Sequence, residues 1–118
     1  FFIFAHFRDA ADAGYAYGAG SPRQMAAIEK IDEGSGMILK ALKDLGIYDK
    51  TAVYVTTDHG FNTGPKDLSG QTALWMITNE PDYIRDGDQK DIAPTILKRL
   101  GISYGEMTPP YNSTDLIP

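Results

Sequence analysis

Asp58, His59 and Gly60 follow one another directly at the end of the run VYVTT, residues 53 to 57. A carboxylate oxygen beside an imidazole nitrogen suits Zn²⁺ or Mn²⁺. In a hydrolytic site such a metal activates water or a nucleophile and neutralises charge on the group transferred. Gly60 lets the backbone turn sharply, so that two adjacent side chains can serve one centre. Taken alone, the triplet is explained more simply by Asp58 capping a turn and His59 lying at the surface as one of only two histidines. The choice depends on what surrounds it.

Other side chains offer chemistry with plainer alternatives. Ser21 and Thr57 are hydroxyls near polar segments, but Ser21 precedes Pro22 and suits a helix cap, and Thr57 belongs to a strand. Asp86, Asp88 and Asp91 in DGDQKD have the flavour of a calcium loop, yet the Gly and distal Glu of an EF-hand are out of register. A solvated loop with Asp91 as helix cap accounts for them. Lys40 and Lys43 fall on the exposed face of a helix and Lys50 in the turn after it. Phe1, Phe2, Phe4, Tyr54 and Trp75 are expected in the core.

The elements that must position these residues are legible from periodicity and breakers. FFIFAHF, residues 1 to 7, is apolar on both faces and reads as a buried strand. Residues 8 to 20, rich in Asp, Ala and Gly, read as a loop. Ser21, Pro22 and Gln24 stand at capping-box spacing and start a helix. Its stripe of Met25, Ile28, Ile31, Ile38, Ala41, Leu42 and Leu45 runs to a stop at Gly46, with Gly34 and Gly36 as interruptions or close-packing points. TAVYVTT, residues 51 to 57, and TALWMIT, residues 72 to 78, are strands. A polar connection then leads to a short helix, IAPTILKRL, ending at Gly101. The order β-α-β-β-α predicts an α/β fold, layered, with a mainly parallel sheet and a right-handed crossover. Sites in such sheets gather beyond the carboxyl ends of strands, where Asp58 and His59 lie.

Composition bounds the rest. At 118 residues, 42% hydrophobic and 23% charged, the chain fits one globular α/β domain, with residues 1–101 as core and 102–118 as an irregular tail. A net charge of -5 argues against a nucleic-acid surface, although a metal could still hold a small anionic substrate locally. With no cysteine, disulfides and thiolate metal sites are excluded. The longest apolar run, FFIFA, is far short of the roughly 18 residues of a membrane span. It lacks a basic flank and an initiator methionine, so it does not read as a signal peptide. A chain opening inside a strand is expected to be a processed product or a fragment.

The run FAHFRDAADAGYAYGAGSPRQMAAIEKIDEGSGMILKALKDLGIYDKTAVYVTTDHGFN resembles the metal-binding half of the alkaline phosphatase superfamily, in particular its type I phosphodiesterase, nucleotide pyrophosphatase and sulfatase-like members. TALWMITNEP and DIAPTILKRLGI are similar to the strand and closing helix that follow in those domains. The resemblance covers nearly the whole chain. It implies an alkaline-phosphatase-like fold, of which this is the carboxyl-terminal portion. It also implies that Asp58 and His59 are two ligands of one metal in a binuclear centre. The family's other metal loop has Asp three residues before its Gly and His just after it, where this chain has Ala11 and Tyr15. Asp9 and Asp12 are the nearby carboxylates that could substitute. A further histidine expected after Asp-His-Gly is absent from residues 61 to 71, and the family's Ser or Thr nucleophile would lie before Phe1. His6 matches a His-Phe pair that is not a ligand in the family.

Two functions follow from that resemblance. The first is the carboxyl-terminal part of a metal-dependent phosphoric or sulfuric ester hydrolase, inactive alone, with divalent zinc or manganese and a small phosphate or sulfate ester as partner. The second is a degenerate, non-catalytic binding or structural module of the same fold. A truncated sheet would leave an open edge and exposed apolar surface, so the expected partner is an identical chain or the missing amino-terminal half. An extracytoplasmic location is compatible with the family.

Overall fold

Ser21 is extended, with φ -62 and ψ 151, and its hydroxyl accepts the Gln24 N–H at 3.2 Å. Pro22 supplies a first residue that needs no N–H partner, and a helix runs from there. The Gln24 side chain completes the exchange one residue earlier than a standard capping box, accepting from Gly20 N–H at 2.7 Å. The computed structural model in which these contacts are seen describes residues 1–60, 74–80, 85–105 and 112–117. The chain divides into two units, Phe1–Thr51 with His59–Leu74, and Ala52–Asp58 with Trp75–Pro118.

The first unit is built on two helices, α1 (Asp9–Tyr17) and α2 (Pro22–Asp44), which contact each other. α1 replaces the loop expected over residues 8 to 20. Four alanines carry high helix propensity, Asp9 and Asp12 sit in the first turn where the dipole favours acids, and Arg8 pairs with Asp12 at 3.0 Å. Gln24, buried at 6% exposure, donates from Nε2 to the Ala10 carbonyl at 3.3 Å and so stitches the start of α2 to α1. α2 ends where expected. Gly46 takes φ 67, its N–H bonds the Lys43 carbonyl at 2.9 Å, and the Ile47 N–H bonds the Leu42 carbonyl at 3.0 Å, a complete Schellman closure. Of the two glycines inside α2, Gly34 is a close-packing point, since a Cβ there would lie 3.3 Å from the Phe7 ring, whereas Gly36 faces open space. A single 3-10 turn, Tyr48–Lys50, follows.

Phe1–Phe7 is not a strand in this structure, and Phe1 is 81% exposed. Phe2, Phe4 and Trp75 are likewise exposed and Tyr54 is half-buried, so the aromatic core expected from sequence is not formed by these residues. Along α2, Leu42 is buried, while Met25, Ile28, Ile38 and Leu45 face outward. An apolar pattern states a demand for cover but carries no information about what supplies it.

In the second unit β1 (Tyr54–Thr56) pairs antiparallel with β2 (Met76–Thr78), in the register Tyr54↔Thr78, Val55↔Ile77, Thr56↔Met76. The fold is α/β, but the sheet among the described residues is this antiparallel pair, in place of the parallel layer expected from the element order. The segment 1 to 7, which was to give the parallel neighbour, makes no ladder. Side chains close the pair: Asn79 Oδ1 accepts Val53 N–H at 2.9 Å, and Thr56 Oγ1 donates to the Trp75 carbonyl at 2.8 Å. At the start of β1, Tyr54 donates to Glu80, which pairs with Arg99 Nε at 2.9 Å. Burial first, then the Glu80 carboxylate, pushes the Tyr54 hydroxyl up to about 12.

The last helix, α3 (Ile92–Arg99), is preceded by a 3-10 turn, Gln89–Asp91. The cap is Asp88, not Asp91. Asp88 and Asp91 form a reciprocal capping box in which the Asp91 carboxylate turns back to accept the Asp88 N–H at 3.0 Å. Asp91 is 5% exposed and also accepts Thr114 N–H at 3.3 Å and Arg85 at 3.5 Å. These donors, the Asp88 N–H foremost, hold its carboxyl below the usual carboxylate range despite burial. The helix closes at Gly101, φ 70, with the same Schellman pair that ends α2: Gly101 N–H to Lys98 O at 3.0 Å and Ile102 N–H to Leu97 O at 2.9 Å.

Residues 112–117 are irregular, as expected of the tail, but they are tied down. Leu116 is buried, and its N–H donates to Thr95 Oγ1 at 2.8 Å. Asp115 accepts from the Tyr104 hydroxyl at 2.7 Å and from Lys98 Nζ at 2.9 Å. Those two bonds, in that order, lower its carboxyl to about 2. The expected first residues of the third strand at 72 and 73, the histidine-free loop 61–71, residues 81–84 of the polar connection and residues 106–111 lie outside the described residues.

Candidate metal ligands and their neighbours

β1 ends at Thr56, and Thr57, Asp58 and His59 continue as irregular chain. β-branched residues make the strand, and its ladder stops because neither Asp58 nor Gly60 favours an extended pleat. The Asp58 side chain is exposed, and its backbone carbonyl accepts from Gln89 Nε2 at 3.3 Å. His59 is half-buried, with Nδ1 2.9 Å from the Gly60 carbonyl. A proton on Nδ1 makes that contact a hydrogen bond and leaves the lone pair on Nε2, the state in which imidazole binds metal.

The other candidate ligands lie on α1. Asp9 and Asp12 are three residues apart, so they share one side of the helix, and both are exposed. Asp12 Oδ1 is engaged by Arg8 Nε at 3.0 Å. Tyr15, which stands where the family has an imidazole, is half-buried in the same helix. Among the described residues, no three His, Asp or Glu side chains gather as a group that could hold a metal ion. The donor chemistry of Asp58 and His59 fits a divalent cation. Their number falls short of the three protein ligands usual at a catalytic zinc.

The weaker candidates take structural roles. Ser21 caps α2. His6 is exposed, its ring centroid 6.4 Å from that of Phe4. Asp86 and Asp88 belong to the approach to α3, where Asp88 is a cap. No helix among the described residues is long and apolar enough to cross a membrane. Sequence reasoning passed over Gln89, which reaches Asp58, and read Asp91 as a simple cap when it is a buried acceptor for three segments. The three-residue spacing of Asp88 and Asp91 was the available signal for the second; nothing in the sequence pointed to the first.

Comparison with known proteins places the chain in a family. The family model for type I phosphodiesterase / nucleotide pyrophosphatase matches residues 1–112. Human N-sulphoglucosamine sulphohydrolase is 29% identical over 92 residues, covering 69% of this chain and 18% of that enzyme. The 2,3-bisphosphoglycerate-independent phosphoglycerate mutase of Roseobacter denitrificans is 36% identical over 96 residues, covering 71% of this chain and 18% of the mutase. Mouse steryl-sulfatase is 37% identical over 59 residues, covering 50% of this chain and 10% of the sulfatase. The chain thus spans less than a fifth of the length of these relatives. No solved structure matches it. With a family match that runs from Phe1 to within a few residues of the end, the chain belongs to the type I phosphodiesterase / nucleotide pyrophosphatase family of the alkaline phosphatase superfamily.

Proposed function

We propose that this chain contributes Asp58 and His59 to the metal centre of a phosphoric or sulfuric ester hydrolase and is inactive alone. The observation that carries this reading is the family match over residues 1–112, within which Asp-His-Gly follows β1 after the single residue Thr57. When bound, a divalent metal, zinc or alternatively manganese, supplies charge neutralisation for the transferred group and lowers the pKa of an attacking oxygen. Asp58 would offer a carboxylate oxygen and His59 its Nε2, with Nδ1 fixed by the Gly60 carbonyl. Asp9 and Asp12 are the carboxylates proposed for a second cation, Asp12 after exchange of its Arg8 partner.

The named relatives act on a sulphoglucosamine, a phosphoglycerate and a steryl sulfate. Their shared chemistry, handling of a tetrahedral phosphorus or sulfur oxyanion, is the substrate class proposed here. Chain outside these 118 residues would bring the nucleophile and further ligands, together with the strands of a layered, mainly parallel sheet. That segment, or an identical chain, is the partner that the outward-facing aromatic residues call for.

The competing reading is a non-catalytic module, favoured by Tyr15 in place of an imidazole and by the lack of histidine in residues 61–71. Titration with zinc or manganese of the wild-type chain and His59→Ala separates the two. Binding lost in the variant supports the ligand role, and equal affinity in both sinks it. Turnover of nitrophenyl phosphate mono- and diesters and of a sulfate ester, assayed with metal present, tests whether the 118 residues act alone.

A further inference from the structure

We propose that Gln89 is a positioning residue for the Asp58–His59 pair. This rests on the reading of that pair as metal ligands. Gln89 Nε2 donates to the carbonyl oxygen of Asp58 at 3.3 Å. That carbonyl belongs to the planar peptide group joining Asp58 to His59, so a bond to it restrains ψ of the first ligand and φ of the second together. A single donor thereby acts on both side chains without touching either. Outer contacts of this kind, which orient ligands and do not bind the metal, commonly change affinity as much as tenfold or more.

The donor is held by a firm base. Gln89 opens the 3-10 turn before α3, between Asp88 and Asp91, whose side chains cap each other's N–H groups. Asp91 is buried and ties in Arg85 and Thr114. Ser113 Oγ donates to the carbonyl of Lys90, the residue after Gln89, at 2.9 Å. The Gln89 side chain itself is exposed, so replacing it leaves the buried contacts of the turn in place. The turn is fixed by structure, and its one outward amide is spent on the peptide between the candidate ligands.

The test uses the 118-residue chain in three forms, wild type, Gln89→Met and Gln89→Glu, with His59→Ala as reference. Methionine keeps the length of the side chain and removes the donor; glutamate keeps the shape, removes the donor and adds a negative charge. In the metal-free chain, the Asp58 carbonyl carbon resonance is expected to move in both Gln89 variants while those of α3 stay fixed. Binding of Mn²⁺, followed by paramagnetic broadening, is expected to weaken about tenfold in Gln89→Met. It should weaken in Gln89→Glu as well, although a nearby carboxylate would by charge alone strengthen it. That sign separates positioning from electrostatics. An unmoved Asp58 resonance overturns the positioning role and leaves the metal reading intact, as does wild-type Mn²⁺ affinity in Gln89→Met when His59→Ala has lost binding. Wild-type affinity in His59→Ala overturns the metal reading and the proposal with it.

Discussion

Asp91 and Thr114 are joined by a 3.3 Å bond from the Thr114 N–H to the Asp91 carboxylate, so the start of α3 and the tail share one buried acceptor. The same carboxylate takes the Asp88 N–H at 3.0 Å and lies 3.5 Å from Arg85. Removing it would leave two N–H groups and a guanidinium without their partner. Asp91→Ala is expected to cost about 3 kcal/mol in urea unfolding, and Asp91→Asn, which keeps an acceptor oxygen, about half as much. Equal losses in the two variants would mean that charge, not acceptor geometry, holds the junction.

The tail has an acid limit set by Asp115. Its folded pKa, lowered to about 2, lies below the ordinary aspartate value of 3.8. A depressed carboxyl pKa gives stability that is fully present above the unfolded value and is lost as pH falls through the folded one. The window is therefore about pH 4 down to pH 2. Its contribution is on the order of 1 kcal/mol after solvent screening, since Lys98 is 42% exposed. Asp115→Asn should flatten the stability profile across that window and leave the profile near pH 7 parallel to wild type. Urea midpoints at stepped pH check this.

The parts of the fold that sequence made legible are those written in local chemistry. Ser21, Pro22 and Gln24 announce the start of α2, and Gly46 and Gly101 announce two identical Schellman ends. Each signal acts within a turn of chain. The expectations that failed depended on partners. Phe1, Phe2 and Phe4 demand burial, but no residue near them in sequence says against what. Residues 9–17 were misread because Asp and Gly suggested a loop, while the alanines and the Arg8–Asp12 pair favoured a helix. Of the candidate site, the Asp58–His59 adjacency was legible and the bond from Gln89 was not, because 31 residues separate donor from acceptor.

Three glycines should respond to alanine in different directions. Gly36, inside α2 with open space at its Cβ position, gains helix propensity, and Gly36→Ala should stabilise by about 0.5–1 kcal/mol. Gly46 sits at φ 67, so Gly46→Ala should destabilise by about 1 kcal/mol through left-handed strain. Gly34→Ala brings a methyl to 3.3 Å from the Phe7 ring, and its propensity gain should be cancelled wholly or in part. Thermal midpoints of the three variants, ordered Gly36→Ala above Gly34→Ala above Gly46→Ala, are the expected result.

The last prediction concerns Asp12 and bears on the second cation. Arg8 Nε holds Asp12 Oδ1 at 3.0 Å, but the two side chains are 76% and 58% exposed, so the pair is weak and exchangeable. A cation arriving at Asp12 must compete with a guanidinium that repels it. If Asp12 is a ligand, Arg8→Ala removes both the competitor and the repulsion, and Mn²⁺ affinity at α1 should rise about two- to fivefold at low salt. The gain should vanish in the double variant Arg8→Ala/Asp12→Asn and shrink as salt screens the charges. An affinity that ignores Arg8→Ala would remove Asp12 from the ligand set and leave Asp9, Asp58 and His59 as the proposed ligands of this chain.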